Sequence, residues 1–260
     1  MMPKKVLMIL ISFLLCAQVA YAKDLTITVV YNNVPYDSRL STAWGISCFI
    51  GGLGKTILFD TGGNGQILLA NMKKTGIAPK EVEIVFLSHI HEDHAGGLWD
   101  LLQKNDQVTV YVPESFPKGY KDRIKAAAGR VIPVRDETKI CEDAWSTGEM
   151  GPGVKEQSLV INTEKGLVII TGCAHPGIVN IARRAKNMLR KEIYLLAGGF
   201  HLMNYNEEQI NDIIKQLKQL EVKNVAPSHC TGNEAIRIFR EKWGKNFLDF
   251  GCGARIKITL

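Results

Sequence analysis

Long apolar runs are scarce: beyond the first 22 residues no stretch is long and apolar enough to cross a bilayer, which leaves the body of the chain without a membrane span. Charge of one sign is scarce too. The 32 Lys and Arg exceed the 26 Asp and Glu by only 6 across 260 residues, so neither nucleic acid nor a membrane surface is implied as partner. The basic residues from Arg183 to Lys191 alternate with apolar ones, which fits the wet face of a helix better than a binding groove. No internal repeat, fibrous pattern or disordered composition is present; with 46% hydrophobic and 22% charged residues, the balance is that of an ordinary globular protein. A single α/β domain can reach roughly 250 residues, so one domain accounts for the length.

The one long apolar run stands at the start. Lys4 and Lys5 precede Val6 to Leu15, and Ala20-Tyr21-Ala22 places small residues where a signal peptidase reads them. Residues 1–22 are therefore expected to be a cleaved signal peptide, with a mature chain 23–260 in the periplasm or outside the cell and no membrane contact after cleavage. The run is shorter than the roughly 20 residues a span needs, and Leu15 stands before Cys16 where a lipoprotein would carry a small residue. Cleavage removes two lysines and leaves five cysteines, Cys48, Cys141, Cys173, Cys230 and Cys252, in a compartment that favours pairing. Five cannot all pair. Cys173 and Cys230 lie close to histidines, so a thiol near a metal is one reading and small apolar filler the other.

Leu25 to Tyr31, Ile46 to Ile50 and Thr56 to Phe59 read as strands, the last two joined by a glycine turn at 51, 52 and 54. Gln66 to Lys74 has helical spacing, Glu83 to Leu87 is an apolar strand, Gly97 to Gln103 is helical, Val108 to Val112 strand-like and Tyr120 to Ala128 helical. The second half repeats the alternation: strands at Ser158 to Asn162 and Leu167 to Thr171 around a Glu164-Lys165-Gly166 turn, a helix from Ile178 to Arg190, a strand at Tyr194 to Ala197, a helix from Glu207 to Leu220, and Val225 to Pro227 leading into His229. A helix from Glu234 to Trp243 and a strand from Arg255 to Thr259 finish the chain. Hairpins mixed with strand–helix alternation predict an α/β fold, an αββα sandwich of two mixed sheets flanked by helices, with the Gly/Pro patch Gly148 to Gly153 between its halves.

All six histidines, at 89, 91, 94, 175, 201 and 229, fall where a strand-like run gives way to a glycine-rich or polar loop. Loops at strand ends are where a rigid scaffold presents reactive side chains. The densest cluster is His89-Ile90-His91-Glu92-Asp93-His94. Imidazole and carboxylate are the donors a divalent ion such as zinc takes, and one tight loop can serve one ion or two neighbouring ions. His89 and His91, two apart in an extended segment, point the same way, while Asp93 and His94 lie past a turn and can face a second position.

This H-x-H-x-D-H pattern after a buried strand resembles the metallo-β-lactamase superfamily, and the resemblance covers nearly all of the mature chain. Phe59-Asp60-Thr61-Gly62, Gly172-Cys173-Ala174-His175 and Ser228-His229 match its other motifs. The stretches from Gly172 to Asn180, Gly198-Gly199-Phe200-His201-Leu202 and His229-Cys230-Thr231-Gly232 are similar to a subgroup named for dihydropterin-linked ribofuranosylaminobenzene 5′-phosphate synthase. The resemblance implies that His89, His91 and His175 hold one metal ion and Asp93, His94 and His229 a second, with Asp60 behind them orienting a ligand. It also implies a bridging aspartate after the strand that ends Ala197-Gly198-Gly199, and no acid stands there. His201 lies near that position and is read as a metal ligand, a proton donor to the leaving group or a substrate contact, the last two together being preferred, and without the bridge the second ion is expected to bind weakly.

The expected activity is hydrolysis of an ester, phosphoester or amide in a small molecule by a metal-activated water that Asp93 orients, with one or two divalent ions, zinc before iron or manganese. The alternatives are a transfer reaction of the kind the subgroup is named for, against which export argues, and a protein that binds metal or ligand without turnover. Loops 33–42 and 138–153 are expected to shape specificity, and of the four tryptophans Trp145 is expected to line the pocket.

Overall fold

The computed structural model describes residues 24–260; the expected leader, 1–22, lies outside the described residues. In chain order the first strands are β1 (Asp24–Asn32), β2 (Ile46–Gly51), β3 (Ile57–Phe59), β4 (Ile84–Phe86), β5 (Thr109–Pro113) and β6 (Arg130–Val134). Then come β7 (Thr138–Cys141), β8 (Ala144–Ser146), β9 (Leu159–Thr163), β10 (Gly166–Thr171), β11 (Ile193–Gly199), β12 (Asn224–Ser228) and β13 (Arg255–Thr259). One sheet has seven strands in the order β13-β1-β2-β3-β4-β5-β6, the other six in the order β12-β11-β10-β9-β8-β7. Each is mixed, antiparallel through its hairpins and parallel from β3 to β6 and from β10 to β12. The two mixed sheets with flanking helices are the architecture that the sequence pattern predicts.

The period-two alternation explains the layering. Ile57 and Phe59, Ile84 and Phe86, and Val168 and Ile170 join one core, where they pack with Leu159, Ile161, Leu195 and Ala197 between the sheets. Their alternating neighbours join two other cores: Leu58 and Val85 with Leu68 and Met72, and Leu167 and Ile169 with Ile178 and Leu217. A strand buried on both faces reads as a continuous apolar run, as these do, and each fully buried aliphatic side chain contributes about 1.5–3 kcal/mol.

The helices on the first sheet are α1 (Gly65–Thr75), α2 (Glu92–Ala95), α3 (Leu98–Leu102) and α4 (Lys118–Ala128); those on the second are α5 (Ile178–Leu189), α6 (Glu207–Gln219) and α7 (Asn233–Trp243). Their ends follow local chemistry. Asn64 caps α1 by accepting from the N–H groups of Gln66 and Ile67, and Gly76 ends it at φ 78°. Asn206 and Gln209 form a reciprocal box at the start of α6, whose buried face is Ile210, Ile214 and Leu217. On α5, Arg183 and Arg184 are exposed and Lys186 pairs with Glu192 at 2.7 Å, as suits a solvated face. None of the described helices is long and apolar enough to cross a membrane.

Three differences from the sequence reading stand out. β6, β7 and β8 occupy stretches read as connection or loop; charged residues and Pro133 interrupt the apolar pattern of these outlying strands. The chain passes to the second sheet between Val134 and Thr138, so the Gly148–Gly153 patch sits inside that sheet's β8–β9 connection and does not divide the halves. All five described cysteines are free; Cys48 and Cys252 are buried core residues.

Candidate metal centre

Parallel strands place their C-terminal ends together, and in open α/β sheets that end is where ligands bind. Asp60 follows β3, the 88–94 segment follows β4, and residues 172–175, 201 and 229 follow β10, β11 and β12. The chain turns sharply at these points. Asp60, Ala174, His201 and His229 all hold φ between 51° and 60°, a left-handed conformation that is uncommon for a residue with a Cβ and clusters at functional sites.

Among the described residues the side chains meet in three groups, His89, His91 and His175 in one, Asp93, His94, His229 and Cys173 in a second, and Cys173, His201 and Cys230 in a third, with potential ligand atoms inside each group within 4.8 Å of one another. All six residues proposed from the sequence as ligands are thus together, from three distant stretches of chain. Supporting contacts set which ring nitrogen faces inward. Asp60 Oδ2 accepts from His94 Nδ1 at 2.7 Å and from the Ser88 hydroxyl at 2.7 Å, while Oδ1 accepts from the Ser88 N–H at 2.7 Å. Because Ser88 donates to Asp60, its oxygen accepts from His89 Nδ1 at 2.9 Å. His229 Nδ1 donates to Asn33 Oδ1 at 2.7 Å. Three histidines therefore carry a proton on Nδ1 and turn Nε2 into the site, the orientation metal-binding histidines take. His94 Nε2 and His229 Nε2 lie 3.4 and 3.2 Å from Asp93 Oδ2, and His89 Nε2 lies 3.1 Å from His91 Nδ1. His175 Nε2 is buried without a hydrogen-bond partner.

Glu156, which the sequence reading missed, holds the 172–175 turn. Its fully buried carboxylate accepts from four backbone N–H groups: Gly172 at 3.0, Cys173 at 3.1 and Ala174 at 2.9 Å on Oε1, and His175 at 2.9 Å on Oε2. Burial pushes its carboxyl up to about 7, against the pull of those N–H groups. Burial likewise drags His175 down to about 4, helped by His201 and His91, so this ring stays neutral and keeps its lone pair. Burial also opposes charge on His94 and Asp93, yet their mutual contacts prevail. Asp60 and Asp93 raise His94 to about 10, and His229 and His94 hold Asp93 well below the usual carboxylate range. The same pull between opposite charges is what a cation would receive from Asp93 once His94 gives up its proton.

Beside the site lies a cavity of about 310 Å³, the lower end for small-molecule pockets, whose wall includes His175, Asn180, His201, Tyr205 and Gln216 over apolar residues and carries no Lys or Arg. His201 is exposed at its mouth, its ring centroid 4.6 Å from that of His175. A hydrogen bond with the Cys230 thiol beside it raises its pKa against a smaller, opposing loss of solvation. Trp145 does not line this cavity; it lies on β8 with Lys139 over its ring at 5.4 Å. The aromatic at the site is Trp44, 49% exposed, with its ring centroid 4.8 Å from that of His229. Of the loop 33–42, Asn33 touches the histidine cluster directly, through His229.

These residues fit a divalent cation: imidazole lone pairs and a carboxylate converge from fixed directions, and the orphaned His175 nitrogen is explained by a ligand role. Comparison with known proteins agrees in kind. Residues 44–229 match the Metallo-beta-lactamase superfamily. The chain is 30% identical, over 86% of its length and 92% of the relative's, to a 7,8-dihydropterin-6-methyl-4-(beta-D-ribofuranosyl)-aminobenzene-5′-phosphate synthase of Methanocaldococcus jannaschii. It is 32% identical to a Ribonuclease Z of Nanoarchaeum equitans over only 41% of this chain and 34% of that one. A solved structure described as a metal-dependent hydrolase of the beta-lactamase superfamily superposes with a TM-score of 0.76 at 26% identity, covering 90% of this chain and 99% of the other. Matched over residues 44–229 and carrying the histidine pattern at the strand ends where that fold gathers them, the chain belongs to the metallo-beta-lactamase superfamily.

Proposed function

We propose that this protein is a metal-dependent hydrolase acting on an ester, phosphoester or amide bond of a small molecule, with zinc as its ion. The observation that carries the reading is the division of the inward-facing donors into His89, His91 and His175 on one side and Asp93, His94 and His229 on the other. Divalent ions held there supply Lewis acidity, polarising a substrate oxygen and lowering the pKa of water from about 15.7 to about 7. The chain's own groups do the rest. Asp93, between His94 and His229, accepts a hydrogen bond from the attacking water and fixes its direction. His201, at the cavity mouth, gives a ring N–H proton to the leaving group. Asn180 and Gln216 offer neutral hydrogen bonds to the group that fills the cavity, and apolar walls exclude water from it.

A transfer reaction of the kind in the Methanocaldococcus jannaschii relative's name is the second reading, supported by 30% identity. Residues 1–22 read, on their sequence, as an export signal, and export sits poorly with a biosynthetic substrate of the kind in that name, which favours hydrolysis. Purified chain, assayed with and without zinc or manganese on phosphoesters, lactones, β-lactams and an RNA, is expected to turn over a small-molecule substrate with metal only. Turnover that requires a second, phosphorylated substrate establishes the transfer reading; cleavage of RNA alone removes the small-molecule assignment; tight metal binding without turnover leaves a binding protein. Elemental analysis of the same sample identifies the ion, and N-terminal sequencing of protein secreted from full-length expression is expected to begin at Lys23.

A further inference from the structure

We propose that Cys173 is a fourth ligand of the buried ion site, alongside Asp93, His94 and His229. The inference rests on reading that cluster as a metal site. Cys173 is 4% exposed, and its sulfur lies 3.2 Å from His94 Nε2 and 3.5 Å from His229 Nε2, the same two nitrogens that face Asp93 Oδ2 at 3.4 and 3.2 Å. One carboxylate oxygen, two imidazole nitrogens and one sulfur thus gather around one position, and four donors are what a closed zinc site takes. The attacking water of the proposed reaction therefore belongs with the group His89, His91 and His175, whose three donors leave a position open.

Backbone and charge both favour the thiol. Glu156 fixes the Cys173 N–H at 3.1 Å within a turn that also presents His175, so the segment serving the first ion site aims its cysteine at the second. Two neutral imidazoles and Asp93 supply one negative charge; a thiolate supplies another and leaves a buried divalent ion neutralised, which lowers the cost of holding it away from water. The end of β11 packs closely against the turn that carries Cys173: a Cβ on Gly199 would meet the Gly172 carbonyl, Cys230 Sγ at 2.7 Å and Cys173 Cα at 3.2 Å. Cys230 groups with Cys173 and His201, outside the Asp93–His94–His229 set, and serves as a neighbour of the ligand and not as a ligand. Binding is an exchange without redox change: the S–H bond of Cys173 breaks, its proton leaves to solvent, and the sulfur lone pair binds the cation.

The test loads the purified full chain with cobalt(II) and with zinc. A sulfur-to-cobalt charge-transfer band in the near ultraviolet, and a sulfur scatterer at about 2.3 Å in X-ray absorption of the zinc form, are expected. C173S should lose both signals and bind its buried ion at least about tenfold more weakly, whereas C230S should keep both. Absence of sulfur signals in the metal-loaded wild type, or their persistence in C173S, overturns the proposal. Should C173S fail to fold, C230S decides, since with Cys230 removed the sulfur at this cluster is that of Cys173; loss of the signals there overturns it. Wild-type protein that takes up no metal sinks the metal-site reading itself, whereas metal bound through nitrogen and oxygen alone sinks only the role of Cys173.

Discussion

Asp60 Oδ2 stands 2.7 Å from His94 Nδ1 with both side chains wholly buried, and the same oxygen accepts the Ser88 hydroxyl that steadies His89. One carboxylate thus orients a histidine of each group. Asp60→Ala leaves the His94 ring without its acceptor and frees the Ser88 hydroxyl that orients His89, and metal affinity is expected to fall about 10–100-fold, the usual scale for such supporting groups. Asp60→Asn keeps the shape but not the charge and should lose less. Equilibrium dialysis against zinc measures both; unchanged affinity in Asp60→Ala would show that the rings are held by other means.

Glu156 supports the other side of the centre. Replaced by Gln, the amide oxygen can keep the three N–H groups on Oε1, but its NH2 then faces the His175 N–H, which lacks an acceptor, at a cost of about 1–3 kcal/mol. Urea unfolding of metal-free Glu156→Gln should show a midpoint well below wild type, and the loaded form should lose activity as the turn carrying His175 loosens. A variant with wild-type stability and activity would assign Glu156 no part in shaping that turn.

The local part of the centre was legible in the sequence, and the long-range part was not. His89, His91, Asp93 and His94 share one loop, so residue type and spacing announce them. His175 and His229 are fixed by strand ends, and the resemblance supplied their grouping. Asn33 and His229 are 196 positions apart, and Glu156 reaches its turn from an irregular stretch whose acid looks like any surface acid. Residue type alone distinguishes Trp145, while Trp44 reaches the site only because the two sheets fold together. The doubly buried strands are legible almost to the residue because continuous apolar runs are hard to mistake; β6 to β8, with mixed burial, are not.

Protons must leave when the ion enters. In the metal-free protein His94 is raised to about 10, so near neutral pH a cation has to displace its proton, whereas His175, lowered to about 4, has none to give. Affinity is therefore expected to rise with pH through the neutral range, with about one proton released per ion at the buried site and a second if Cys173 also ligates. The sign for stability is the reverse: the raised His94 stabilises the metal-free fold fully below its unfolded value of about 6.5, and this contribution is lost as pH rises through about 10. Titration with zinc in weakly buffered solution containing a pH indicator reads the release directly. Affinity that is flat between about pH 6 and about pH 9 would contradict the coupling of His94 to the ion.

His201 tests the chemistry apart from the metal. It is exposed, and its ring meets that of His175 at the cavity mouth, so removing it leaves the buried donors in place. If it delivers the leaving-group proton, His201→Ala should lower kcat about 10²–10⁴-fold on substrates with poor leaving groups while metal content and thermal stability stay at wild-type levels. Substrates whose leaving group departs without a proton should be far less affected, and the fall in rate expected of the wild type as the His201 ring loses its proton should be absent from the variant's profile. A uniform loss across leaving groups, carried by KM and not kcat, would make His201 a binding contact for substrate and leave the proton to be supplied by solvent.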